Sequence, residues 1–378
     1  MKALSLAAAV ALGAAQAGHA VHFVAYGDTR TNPDTHQTVI DAISKADPEL
    51  ILFSGDLWDG YAGTLSASQA RFKSILTKNA NIARLLEKNL YLVSRGNHER
   101  ESELLSFQPT LVRGGKPVYS FVQGNAFFVS LAMDPMVSLA YLDSQMQSTE
   151  AKQAKWKFVY SHYPVYSTGD HGAQGLPGLE KLCDKYGVNV VFNGHDHVYE
   201  RTNQIYAGKV VDTTNRLSAA KGTVYIVSGG GGAPLYSVGR QWWTRFSRSV
   251  NNFCDVKADD SLLTVTAMQP DGKTLDAFSI AKSPVAVAVR AAAQKGPAWF
   301  TVADVPSQRM AILSFEPAAG ADGTLEIRAG NGSLIKRERL SVAQTASAFD
   351  YSRLPQGEYL AVLKANGTSL SRKVTVAQ

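Results

Sequence analysis

Between Val21 and His197 five short apolar runs each end in a polar cluster of the kind that binds metals: Gly27-Asp28-Thr29-Arg30, Gly55-Asp56, Gly96-Asn97-His98-Glu99, Ser161-His162 and Gly194-His195-Asp196-His197. The runs are Val21–Tyr26, Glu49–Phe53, Leu90–Val93, Lys157–Tyr160 and Val188–Phe192, and a sixth follows at Thr223–Val227. Their short apolar character reads as strands. Helices expected at about 36–46, 66–89, 138–154 and 176–186 lie between them, and Val118–Val122 with Phe127–Leu131 reads as a hairpin. Strand and helix alternating in this way give an α/β layer fold, whose ligand crevice lies at the strand ends on one sheet edge. The clusters should therefore meet in space although 170 residues of sequence separate the first from the last. Taken singly, each would be an ordinary N-cap, turn glycine or core histidine.

Carboxylate, amide oxygen and imidazole ligands without thiolate suit zinc, manganese, iron or nickel. Six such ligands are too many for one ion. A bridging carboxylate would let two ions sit roughly 3.5–4 Å apart, an arrangement that lowers the pKa of a bound water towards about 7 and neutralises a phosphoryl group under attack. All eight histidines precede residue 198, which confines this chemistry to the first part of the chain.

The ordered set, ending in Gly194-His195-Asp196-His197-Val198-Tyr199-Glu200-Arg201, resembles the calcineurin-like metallophosphoesterases, and within them the purple acid phosphatase branch, over about residues 21–281. The resemblance implies a four-layer α/β/β/α metallophosphoesterase sandwich and a hydrolase of phosphate esters. A phosphomonoesterase is the first expectation, a phosphodiesterase or nucleotidase the alternative, and a noncatalytic binding protein on a degenerate site the third. Carried over residue by residue, it implies that Asp28 and His197 hold one ion, that Asn97, His162 and His195 hold the other, and that Asp56 bridges. The two ions would be iron, zinc or manganese, and the substrate a small phosphorylated molecule. His98 would act near the leaving group, and His171 matches a substrate-facing histidine.

Two positions depart from the family pattern. Asp59 stands where the purple branch has a tyrosine ligand, and Arg30 where many other members have a histidine. One half-site is thus a ligand short: Asp59, a water or, less readily, Tyr61 could complete it, and without a tyrosinate the protein should not be purple. Arg30 could meet phosphate as an always-charged fork or form a salt bridge within its loop.

The chain opens with Lys2 and the apolar run Leu4–Ala17, so residues 1–20 read as a secretory signal peptide. A secreted, periplasmic or cell-surface protein follows, with no transmembrane segment once the signal is removed. Export would permit a Cys183–Cys254 disulfide, with two separate buried thiols as the alternative. The formal charge of +6 is too small and scattered for nucleic-acid binding.

Residues 21–282 form the expected metallophosphoesterase domain. After Lys282-Ser283-Pro284, residues 283–378 carry turn signals such as Gly330-Asn331-Gly332 at the spacing of a small all-β sandwich. Leu354–Lys364 with Arg372–Val376 resembles immunoglobulin-like modules of secreted bacterial enzymes, implying a spacer or a contact with the cell surface or secretion machinery. Ser228–Gly232 lacks the Lys and Ser/Thr of a phosphate loop and reads as a tight turn near the crevice. His22 and His36 are expected to be structural, and Trp242 and Trp243 to cover the core or line a substrate mouth.

Overall fold

The computed structural model describes residues 20–107, 118–282, 300–305, 310–315, 323–340, 346–365 and 368–376. The expected signal peptide, but for Ala20, and the expected domain boundary at residue 283 lie outside them. In chain order the first domain contains β1 (Val21–Tyr26), β2 (Leu50–Phe53), β3 (Tyr91–Val93), β4 (Tyr119–Gln123), β5 (Ala126–Ser130), β6 (Trp156–Tyr160), β7 (Val190–Asn193) and β8 (Tyr199–Thr202). There follow β9 (Gln204–Tyr206), β10 (Lys209–Asp212), β11 (Arg216–Ser218), β12 (Val224–Ser228), β13 (Thr244–Arg248), β14 (Phe253–Ala258), β15 (Leu262–Met268) and β16 (Thr274–Ala281). One seven-stranded sheet has the order β11-β16-β15-β14-β1-β2-β3, and the other β13-β8-β12-β7-β6-β5-β4.

The sheets pack face to face. Phe23 of β1 meets Phe128, Phe158 and Phe192 of the second sheet edge-on, with ring centroids 5.2, 5.0 and 5.9 Å apart. Period-two alternation sorts each central strand between two cores. In β6, Phe158 and Tyr160 face the opposite sheet while Val159 joins the outer core, and Val190, Val191 and Phe192 divide likewise. The first sheet's outer face is covered by α1 (Pro33–Ala46), α2 (Leu65–Thr77) and α3 (Ala80–Glu87), through residues such as Ile40, Phe72 and Leu85. After α4 (Glu101–Phe107), α5 (Pro135–Gln145), α6 (Thr149–Gln153) and α7 (Leu179–Tyr186) cover the second sheet, with Leu142, Ala151 and Leu179 buried there. The domain is the expected four-layer α/β/β/α sandwich.

Two expected helices are each split. The stretch 66–89 breaks where Asn79 turns extended (φ −104°, ψ 120°). The stretch 138–154 starts earlier, because Asp134 caps it and Pro135 fills the first position, and it restarts where the Ser148 side chain accepts from Ala151 N. No disulfide forms between the cysteines: Cys183 lies in the outer core and Cys254 in the inner one, both free, and burial pushes both thiols up.

The sheets are also joined by an ion pair. Arg201 of β8 reaches across to Asp276 of β16, Nε to Oδ2 at 2.5 Å and Nη2 to Oδ1 at 3.0 Å, with the Tyr199 hydroxyl 3.0 Å from Oδ2. The second domain packs a three-stranded sheet, β17 (Phe300–Val305), β18 (Met310–Phe315) and β21 (Ala346–Asp350), against a four-stranded one. The latter consists of β19 (Gly323–Ala329), β20 (Leu334–Leu340), β22 (Gly357–Ala365) and β23 (Thr368–Val376). Phe300, Leu313, Ile327, Phe349 and Leu363 share its core, which makes it the expected all-β sandwich.

Candidate metal centre

Parallel pairing of β1 with β2, β2 with β3, and β6 with β7 brings their C-terminal ends to one edge. Asp28, Asp56, Asn97 with His98, His162, and His195 with His197 follow those five ends, so the clusters meet as expected. The glycines before them permit the approach. A Cβ on Gly194 would lie 2.2 Å from Asp28 Oδ2, and one on Gly55 (φ +97°) would lie 2.5 Å from Gly96 N. Asp28, Asp56 and His195 themselves hold left-handed φ values of 61°, 61° and 69°. Such backbone costs of the order of 1 kcal/mol per residue and persists where neighbours enforce it. Here His195 N donates to both Asp28 carboxylate oxygens, at 2.9 and 3.0 Å. The glycine run braces the same loop, Gly231 N bonding Gly27 O and Ala233 N bonding Asp28 O, both at 2.9 Å.

Asp28, Asp56 and His162 offer ligand atoms within 4.8 Å of one another. His162 donates from Nδ1 to Ser54 O at 2.7 Å, which turns the Nε2 lone pair to Asn97 Oδ1 at 2.8 Å and Asp56 Oδ1 at 3.4 Å. His195 Nδ1 lies 3.0 Å from the same amide oxygen. His197 donates from Nδ1 to Pro234 O at 2.6 Å, and its Nε2 sits 3.8 Å from Asp28 Oδ1. The Nε2 atoms of His195 and His197 are buried without a hydrogen-bond partner. Burial pushes His195 down to about 3 and His197 to about 4, and it lowers His162, so these imidazoles are neutral near pH 7. Asp28 is raised by burial and by Asp56; burial would raise Asp56 too, but His162, His98 and Arg30 together hold it low. Backbone carbonyls fix the tautomers of His162 and His197, so their Nε2 lone pairs point to the same place as the carboxylate and amide oxygens. That is the donor set a cation requires, and the residues fit a metal.

His98 N donates to Asp56 Oδ1 at 3.1 Å. Its ring, 30% exposed, places Nε2 3.9 Å from Asp56 Oδ2. Asp59 does not complete the ligand set: its Oδ2 lies 2.7 Å from His98 Nδ1 and so orients that ring. Nor does Tyr61, whose hydroxyl lies 2.8 Å from His36 Nδ1 in the core. Arg30 pairs not within its own loop, as one expectation had it, but across to the next, Nε lying 3.2 Å from Asp56 Oδ2. His171 reaches the centre, its ring stacked on His195 at 4.7 Å and its Nε2 3.2 Å from the Tyr236 hydroxyl. Tyr236 in turn stacks on His197 at 4.1 Å. His22 pairs with Asp255 at 2.5 Å, and His36 lies buried between Tyr26 and Tyr61; both are structural, as expected. Trp243 is half-buried against the outer core, whereas Trp242 is 54% exposed.

Sequence reasoning gave no role to Glu99, Asp196 or Tyr236. Glu99 ties two loops together, accepting from Leu57 N at 2.5 Å, Gly96 N at 2.9 Å and Asp56 N at 3.2 Å. Burial and the Asp56 charge push its carboxyl up to about 8. Asp196 accepts from His171 N at 2.9 Å and from the Ser167 hydroxyl. For these two the only signal was their place inside the Gly-Asn-His-Glu and Gly-His-Asp-His strings; Tyr236 carried none.

A family model described as calcineurin-like phosphoesterase matches residues 21–199. A nucleotide pyrophosphatase/phosphodiesterase from Hordeum vulgare is 26% identical over 242 residues, which cover 53% of this chain and 65% of that protein. Purple acid phosphatase 21 from Arabidopsis thaliana is 29% identical, over 56% of this chain and 50% of that one. The Arabidopsis protein named "Probable inactive purple acid phosphatase 27" is 31% identical, over 37% of this chain and 25% of that one. The chain thus spans at most about two thirds of the length of these relatives. A solved purple acid phosphatase from yellow lupin (Lupinus luteus) shares the fold, with a TM-score of 0.58 at 20% identity, over 72% of this chain and 55% of that one.

Proposed function

Starting from a chain that carries a calcineurin-like phosphoesterase domain and is homologous to purple acid phosphatases, we propose a metal-dependent hydrolase of phosphate esters, acting first on monoesters. Asp28, Asp56, Asn97, His162, His195 and His197 would hold the metal. The observation that carries this is the convergence of neutral histidine nitrogens on Asn97 and on two buried carboxylates. Bound ions of iron, zinc or manganese, two in the full set, supply Lewis acidity and an activated water. The chain's own groups do the rest. Asp56 lies between the two ligand groups, and His98 Nε2, aimed to the Asp56 side, donates a proton to the departing oxygen. Asp59 accepts from His98 Nδ1 and keeps that ring aligned, while His171 and Tyr236 present polar atoms to the substrate at the rim.

Asp56→Asn and His195→Ala should each lose bound metal and turnover of an aryl phosphate together; a variant that loses metal yet keeps turnover contradicts the proposal. A diesterase is the second reading, favoured by similarity to the barley enzyme, and relative rates on aryl and bis-aryl phosphates separate the two. Metal-replete protein inert on both would favour a noncatalytic role, which the relatives named inactive make worth testing. Lys2 and Leu4–Ala17 carry the further proposal of export, with the second domain as spacer or sorting module. Among the described residues no helix is long and apolar enough to cross a membrane.

A further inference from the structure

Arg30 stands two residues after Asp28, and its side chain reaches the Asp56 carboxylate. The two oxygens of Asp56 face different partners: Oδ1 is 3.4 Å from the His162 lone pair, and Oδ2 is 3.2 Å from Arg30 Nε. The Arg30 side chain is only 17% exposed, so its charge is held close against the Asp56 carboxylate. Nε meets Asp56 without the alignment of a hydrogen bond, so the contact is one of charge. That charge is permanent, since a guanidinium does not deprotonate in a protein. Its loop is tied to the Asp56 loop: Thr29 N and Arg30 N bond Asp56 O at 2.9 and 3.2 Å, and Thr31 N bonds Asp59 O at 2.8 Å. An ion entering beside Asp28 and His197 must therefore coexist with this cation or rotate the side chain away.

Resting on the ligand set of the hydrolase proposal, we propose that Arg30 makes the two halves of the centre unequal. Asn97, His162 and His195 with Asp56 hold one divalent ion tightly. The Asp28–His197 half competes with a resident guanidinium and holds its ion weakly and exchangeably. The positive charge that favours ionised Asp56 also opposes any cation approaching the same carboxylate. One charge at this range changes the proton affinity of a carboxyl by about 10- to 1000-fold, and a divalent ion is repelled more strongly than a proton. Occupancy of the weaker half then follows free metal concentration.

The test is competitive-chelator titration of the metal-stripped full chain with Zn²⁺, followed by metal analysis after gel filtration, for wild type, Arg30→Gln and Arg30→Lys. Wild type should retain one equivalent and bind a second at least about tenfold more weakly. Arg30→Gln, near in length but uncharged, should retain both, with the second Kd tightened by about 10- to 1000-fold; Arg30→Lys should resemble wild type. The tight first equivalent in Arg30→Gln reports that the variant is folded. Two equal equivalents in wild type, or an unchanged second Kd in Arg30→Gln, would overturn the assignment. Because the readout is metal binding, unequal equivalents in a protein without turnover would sink the hydrolase proposal and leave the role of Arg30 standing.

Discussion

Replacing Asp59 with asparagine separates two roles for that position. The structure puts Asp59 Oδ2 2.7 Å from His98 Nδ1, so asparagine can still offer an oxygen to the ring N–H while losing the charge. A hydrogen bond to a charged group contributes about 1.5–3 kcal/mol and a neutral one about 0.5–1.5, a difference of about 1 kcal/mol. The Asp59 side chain is 52% exposed, and solvent screening keeps the loss at the low end. About 1 kcal/mol corresponds to a roughly five-fold fall in kcat. His98→Ala removes the proton donor itself and should cost about 10²- to 10⁴-fold, most on poor leaving groups. Since Asp59 acts through His98, adding Asp59→Asn to His98→Ala should cause little further loss. The assay is steady-state kinetics on aryl phosphates of graded leaving-group pKa, with metal content measured in parallel. Loss of metal in Asp59→Asn, or a fall beyond about 100-fold with unchanged leaving-group dependence, would show that Asp59 is a ligand after all.

Three further outcomes follow from buried groups. Burial pushes His36 down to about 3 from the ordinary 6.5, so the unfolded chain takes the proton first as pH falls. Stability is then full above about pH 6.5 and lost on the way to about 3, with His36 alone costing about 2–3 kcal/mol at pH 4.5; denaturant midpoints of metal-stripped protein at about pH 7.5 and 4.5 check this, and equal midpoints refute it. Arg201→Met leaves Asp276 buried without its cation and should cost about 3–5 kcal/mol, read as a lower urea midpoint. Iron-loaded protein should show no intense visible tyrosinate band, because the Tyr61 hydroxyl stays on His36; such a band would show that Tyr61 has moved to the metal.

The centre was legible because every candidate ligand lies in a polar cluster opened by a glycine or serine at the end of an apolar run, and strand ends on one edge must meet. Its fine structure was not. Nothing in the order of residues shows that Asp59 turns to His98 rather than to the ligand set, since that depends on side-chain direction across two loops. The end of the longest motif also misleads: Arg201 joins the two sheets through Asp276, while Glu200 accepts from Thr168 N and from the Thr244 hydroxyl. Conspicuous residues there serve packing, and the inconspicuous Tyr236 flanks the site. Helix limits failed where short polar caps interrupted an otherwise continuous pattern, at Asn79 and Ser148. The cysteines could not be assigned from sequence because the distance between two cores is a tertiary fact.

The most direct measurement is turnover of an aryl phosphate by the full chain after chelator stripping, recorded while Zn²⁺, Mn²⁺ or iron is added back in counted equivalents. Stripped protein should be inactive, activity should return with added metal, and Asp56→Asn should stay inactive throughout. Turnover that survives stripping, or its absence in metal-replete wild type on mono- and diesters alike, would contradict a metal-dependent phosphoester hydrolase.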